Sequence, residues 1–148
     1  AELLPAENIL LDLDAESKGS LFAAIGALFE SRHGLSRRVV SDSLLAREKL
    51  GSTGLGQGIA IPHGRIRGLS TAQGAFVRLR SPIPFDAPDG KPVAVVFVLL
   101  VPEQATEQHL QLLSELAQMF SETRFRESLA APTDAAGVRA IFEKWVPG

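Results

Sequence analysis

The sequence predicts a three-layer α/β/α domain, in which a β-sheet is flanked by helices. Two observations carry that expectation. Residues 93–101 are apolar without interruption, the mark of a central strand covered on both faces. Helical stripes stand before, between and after the β-rich segments, so helices are available to both sides of a sheet. A length of 148 residues suits one domain, residues 1–148, which buries about 70% of its unfolded surface without staples.

In chain order, residues 9–13 read as a short first strand, with Asp14 as a candidate cap. From Ser17 onward, Leu21, Phe22, Ile25, Leu28 and Phe29 form a helical stripe, which His33-Gly34 closes. Ser36 caps a second helix carrying Val39, Val40, Leu44 and Leu45 inward and Arg37, Arg38, Asp42 and Glu48 outward, with Arg47 in its last turn. Residues 59–61 are short and β-rich. Residues 73–80 partly alternate, as a half-buried strand does. Pro82, Pro84, Pro88, Pro92 and Asp89-Gly90 mark a long turn-rich connection. After the apolar strand, which Pro102 ends, Thr106 or a neighbour caps a helix with Leu110, Leu113, Leu116, Ala117 and Phe120 inward. Phe125 and Leu129 suggest a brief helix. Thr133 and Asp134 start the last one, with Val138, Ile141, Phe142 and Trp145 inward. There is no internal repeat or low-complexity tract.

Between the second helix and the short strand, Gly51, Gly54, Gly56 and Gly58 fall within eight residues, followed by Ile59-Ala60-Ile61 and Pro62-His63-Gly64. Glycines at that density permit left-handed backbone and close approach of amide N–H groups to an anion. Pro62 holds the residue before it extended, and Gly64 clears space beside the imidazole. A lone histidine is more often structural than reactive, but one at the rim of an anion cradle is a candidate nucleophile, because neutral imidazole exists near pH 7.

The remaining composition removes several function classes. A net charge of −2 offers no basic field for nucleic acid. Without cysteine there is neither a disulfide scaffold nor thiol chemistry. The acidic start, Ala1-Glu2-Leu3-Leu4-Pro5-Ala6-Glu7, lacks the apolar core of a secretory signal. The nine-residue apolar run is about half the length that a membrane-spanning helix needs. The expectation is a cytoplasmic protein without membrane insertion. No Gly-Lys-Ser/Thr follows the glycine loop, which disfavours nucleotide binding. Three histidines without ligand spacing do not make a zinc site, and no Gly-x-Ser-x-Gly elbow supports a hydrolase.

Arg47-Glu48-Lys49, Gly51-Ser52-Thr53-Gly54 and Gly58-Ile59-Ala60-Ile61-Pro62-His63-Gly64 together resemble the enzyme IIA domains of the fructose/mannitol class of the bacterial sugar phosphotransferase system, above all the free-standing nitrogen-regulatory type. The resemblance continues through Phe85-Asp86-Ala87-Pro88-Asp89-Gly90-Lys91-Pro92-Val93, Leu99-Leu100-Val101-Pro102 and His109-Leu110-Gln111-Leu112-Leu113, nearly the whole chain. It implies a mixed sheet of about four or five strands. His63 would be phosphoacceptor, through Nε2 with Nδ1–H held by a neighbouring carbonyl. His109 and Arg47 would stabilise the phosphoryl group.

From residue types alone, His109 is equally an exposed first-turn histidine and Arg47 a solvated helix-end charge, though a guanidinium fork suits phosphoryl oxygens. Thr53, Gly54 and Gly58 are the loop candidates for phosphate contact. Ser52 is a weaker candidate, Gln57 is given no role, and His33 no chemistry. The resemblance further implies a histidine-containing phosphocarrier as donor, regulated transporters or sensor kinases as downstream partners, and no metal or cofactor, since the donor is already a phosphoramidate. The free-standing length favours a regulatory output linked to nitrogen and potassium. Two alternatives remain: a sugar-transport component passing phosphate to an enzyme IIB, and an anion- or partner-binding module that is never phosphorylated.

Overall fold

In the computed structural model, residues 3–104 and 107–144 are described, without the side chains of residues 108–110. The expected roles of Thr106, Leu110 and Trp145 fall outside those limits. The elements are β1 (Ile9–Leu13), α1 (Lys18–His33), α2 (Arg37–Lys49), β2 (Gly54–Gly56), β3 (Ile59–Ala60), β4 (His63–Ile66), β5 (Gln73–Ile83), β6 (Val93–Pro102), α3 (Glu107–Ser121), α4 (Thr123–Ser128) and α5 (Ala135–Lys144).

Among the described residues the sheet is mixed and has six strands, in the order β1-β5-β6-β3-β2, with β4 also on β6. That exceeds the expected four or five because one edge of β6 carries two short strands. Ile59 and Ala60 pair in parallel with Val95 and Val96; His63 to Ile66 pair in parallel with Leu99 to Pro102. The register offset is the same in both, so β3 and β4 are one strand line interrupted at Ile61-Pro62. Pro62 has no N–H to give to a ladder, while its carbonyl still accepts from Leu99 N at 2.9 Å. Ile61 N instead donates to Thr53 O at 3.0 Å. β5 runs antiparallel to β6 and parallel to β1.

Alternation along β6 builds the layers. Val96, Val98 and Leu100 enter a core with Leu21, Phe22, Ile25 and Phe29 of α1 and Val40 and Leu44 of α2. Phe97, Leu99 and Val101 enter a second core with Leu116 and Phe120 of α3, Phe125 of α4 and Val138 of α5. Helices therefore cover both faces, as expected for α/β/α, and β6 is buried on both sides.

Several local expectations need correction. Ser17, not Asp14, caps α1: its Oγ accepts from Ser20 N at 3.2 Å, and Ser20 Oγ accepts from Ser17 N at 3.0 Å. Val39 is 45% exposed, because the buried stripe of α2 is narrow and runs through Val40 and Leu44. Glu48 continues that stripe at the next four-residue step, and its side chain is only 5% exposed, paired with Lys18 instead of facing solvent. β5 is longer than expected, taking in Pro82, and its first half is buried on both faces. Among the described residues, no helix is long and apolar enough to cross a membrane.

Candidate phosphoryl-transfer site

Strand alternation, kept in register across the Ile61-Pro62 break, places His63 on the face of the sheet that α3 covers. His63 and Ile61 line a cleft of about 400 Å³ together with Thr53, Gly54, Leu113 and Ala117. Gly64, pointing the opposite way, meets α2. A Cβ built there would stand 2.4 Å from Ser43 Oγ, so the absent side chain is what lets α2 come close. That approach brings Arg47, one turn beyond Ser43, to the imidazole.

Two hydrogen bonds set the ring. Arg47 Nε donates to His63 Nε2 at 3.2 Å. A guanidinium can only donate, so Nε2 carries the lone pair and Nδ1 the proton, which Nδ1 donates to Ile61 O at 3.1 Å. Burial lowers the His63 pKa below its ordinary value; the Ile61 carbonyl opposes this, the Arg47 charge adds to it, and Glu48 weakly opposes it. A neutral, fixed-tautomer imidazole whose electron pair lies at Nε2, accepting from Arg47, can act as a nucleophile near pH 7 once that donor moves aside. Arg47 also donates through Nη1 to Gly51 O at 2.8 Å, tying the end of α2 to the start of the glycine loop.

The loop candidates are placed unequally. Thr53 is buried, and its amide (3.0 Å) and hydroxyl both donate to Glu48 Oε1. Gly54 N donates to Ser52 Oγ at 3.0 Å, and Ser52 Oγ donates to Phe85 O at 2.6 Å. Gly54 has no positive φ; it needs a small residue because a Cβ would lie 2.9 Å from that of Ala87. Gly58 ends the β2–β3 turn at φ +78°, and its carbonyl accepts from Ala94 and Val95 N. It does not line the cleft. His109 lies on α3, one helical turn ahead of Leu113, and its side chain is outside the described ones. His33 Nε2 donates to Asn8 Oδ1 at 2.7 Å, away from the cleft. Lys18 and Glu48 were not singled out from the sequence. Glu48 could have been found from its place on the Val40–Leu44 stripe; nothing in the sequence marks Lys18.

The family described as "Phosphoenolpyruvate-dependent sugar phosphotransferase system, EIIA 2" matches residues 2–145. The chain belongs to this enzyme IIA family. The resemblance carried by the glycine loop and the Ile-Pro-His-Gly run is therefore a true family relationship, and this enzyme IIA is a phosphotransferase-system component.

Nitrogen regulatory proteins are among its relatives. The one from Pseudomonas aeruginosa is 51% identical over 100 residues, 67% of this chain and 65% of that protein. The one from Bradyrhizobium diazoefficiens is 38% identical over 140 residues, 95% of this chain and 92% of the relative. The crystal structure of nitrogen regulatory protein IIA-Ntr from Neisseria meningitidis superposes with a TM-score of 0.89 at 55% identity, covering 94% of this chain and 95% of that one. The crystal structure of IIA mannitol from Escherichia coli shares the fold at 23% identity, with a TM-score of 0.75 and coverage of 93% and 96%.

Proposed function

We propose that this enzyme IIA is a phosphoryl relay that accepts a phosphoryl group on His63 Nε2 from a phosphohistidine on a small phosphocarrier protein. The observation that carries the reading is the orientation of the ring: Nε2 lies at the cleft beside a guanidinium while Nδ1–H is tied to the Ile61 carbonyl. In the transfer, the Nε2 lone pair forms the new N–P bond as the donor's N–P bond breaks, and the bonding pair returns to the donor nitrogen. His63 keeps its Nδ1 proton throughout, so no external acid or base is needed. Arg47 Nε–H must leave the lone pair as phosphorus approaches, and it then meets the arriving phosphoryl oxygens with the same donor. His109 is assigned a stabilising role from its family position. Leu50 and Leu55, which are exposed, supply apolar surface beside the cleft for the docking carrier.

The names of the relatives favour a regulatory output over sugar uptake. In this reading the protein works in the cytoplasm, and its phosphorylation state selects which transporters or sensor kinases it binds. The test is incubation with phosphorylated carrier followed by intact mass spectrometry and phosphopeptide mapping. Wild type should gain one acid-labile phosphoryl group on His63, and His63→Ala should gain none while melting normally. Full labelling of His63→Ala would refute the assignment, and an unlabelled wild type would favour the binding-module alternative. Efficient onward transfer to a purified enzyme IIB would favour the sugar-transport alternative.

A further inference from the structure

Glu48 stands directly after Arg47, and its carboxylate is the most heavily engaged acid around the cleft. Oε1 accepts from both the amide and the hydroxyl of Thr53. Oε2 accepts from Lys18 Nζ at 2.9 Å. Lys18 itself lies 4.7 Å from the centre of the Phe85 ring and 3.4 Å from Asp86 Oδ2. Phe85 O in turn accepts from Ser52 Oγ. The first residue of α1, the last turn of α2, residues 52–54 and the connection before β6 therefore meet at one buried carboxylate. A buried charge persists only where its partners satisfy it, and these partners satisfy both oxygens.

We propose that Glu48 is a positioning residue for phosphoryl transfer: its carboxylate grips the amide and hydroxyl of Thr53 and so holds residues 51–54 against Arg47 and His63. The proposal rests on the reading of His63 as phosphoacceptor. One consequence concerns Thr53. With both donors turned inward to Glu48, Thr53 shapes the cleft and does not itself bind the phosphoryl group. Another concerns Arg47, whose Nη1 reaches the Gly51 carbonyl. If the Glu48 grip is lost, the carbonyl that orients the guanidinium shifts with the loop.

The tests are Glu48→Gln, Thr53→Val and the double variant, in single-turnover transfer from phosphorylated carrier at pH 8, where His63 is neutral. Charge alone cannot mimic the expected result. Removing a nearby carboxylate favours neutral imidazole, which would speed transfer in acid and leave it unchanged at pH 8. Positioning predicts a maximal rate about ten- to a hundredfold lower in Glu48→Gln, the scale of a lost hydrogen bond to a charged group, at an unchanged half-saturating carrier concentration. Thr53→Ser, which keeps the hydroxyl, should lose less than Thr53→Val. The double variant should be no slower than the slower single variant, because both changes break the same link. Additive losses would show that Thr53 contacts the phosphoryl group independently, and a wild-type maximal rate in Glu48→Gln would also overturn the proposal.

An NMR measurement on unphosphorylated protein separates this failure from failure of the phosphoacceptor reading. The Thr53 amide should resonate downfield in wild type and move upfield with faster exchange in Glu48→Gln. An unmoved amide refutes the grip even if His63 is phosphorylated, and a wild type that cannot be labelled refutes the acceptor assignment whatever the amide does.

Discussion

Adding one methyl group at residue 64 should disturb both the fold and the site. In Gly64→Ala, the new Cβ would lie 2.4 Å from Ser43 Oγ and 3.2 Å from Ser43 Cβ, against a comfortable carbon contact of about 3.5–4.0 Å. The serine can rotate, but it then gives up the bond in which Oγ donates to Arg65 O at 3.2 Å. That bond is worth about 0.5–1.5 kcal/mol. The Cβ contact remains too close after rotation, and overpacking of this kind costs about 1–3 kcal/mol. The combined cost of roughly 1.5–4.5 kcal/mol lowers Tm by about 3–18 °C for a chain of this size.

If α2 moves outward instead, it carries Arg47 away from the 3.2 Å bond to His63, and transfer slows. Thermal unfolding followed by circular dichroism, with single-turnover transfer alongside, measures both effects. In a Ser43→Ala background the 2.4 Å contact does not exist, so Gly64→Ala should cost about 1 kcal/mol less there. A Gly64→Ala protein that melts like wild type, or equal losses in both backgrounds, would refute the claim that this glycine sets the approach of α2.

Arg47→Lys keeps the charge but not the fork, so it loses the simultaneous grip on His63 and Gly51. Transfer should slow about ten- to a hundredfold, from the roughly 1.5–3 kcal/mol of a charge-assisted hydrogen bond; equal rates in rapid-quench experiments would remove Arg47 from the mechanism. The pH dependence follows from burial, which lowers the His63 pKa below its ordinary value near 6.5. The ring stays neutral to lower pH than an ordinary imidazole, so the half-point of the decline in transfer rate should lie below 6.5. The contribution to stability has the same direction: it is fully present above the unfolded value and is lost as pH falls towards the folded one. Imidazole NMR titration gives the number directly, and a midpoint above 6.5 would contradict this account.

The layers were legible because they rest on long patterns. Nine uninterrupted apolar residues cannot be a one-sided strand, and the α1 stripe from Leu21 to Phe29 has a clear period and a glycine stop. β4 was not legible. His63-Gly64-Arg65-Ile66 shows no apolar alternation, and it is a strand only because β6 offers it a free edge. The acceptor candidate stood out through its neighbours Pro62 and Gly64, whereas Glu48 looked like one more charge at a helix end. Its burial depends on Lys18, thirty residues earlier, and on a loop that folds back over it. Loop glycines were legible as a group but not one by one. Gly54 answers to Ala87 across the chain, and no local pattern announces that contact.

The shared register of β3 and β4 on β6 limits how the chain can change in length. Ile59 and Ile61 sit on the α3 side, Ala60 and Ile66 on the α1–α2 side, and the imidazole takes its side from the same count of two. Inserting or deleting one residue between Ala60 and His63 would carry the ring through the sheet, from the cleft to the place where Ser43 leaves no room. Two residues would restore the side but move the ring along β6 by one pleat, away from Arg47. Insertions and deletions therefore belong in the connection at residues 67–72, and residues 59–66 act as a fixed ruler between the sheet and the reactive nitrogen.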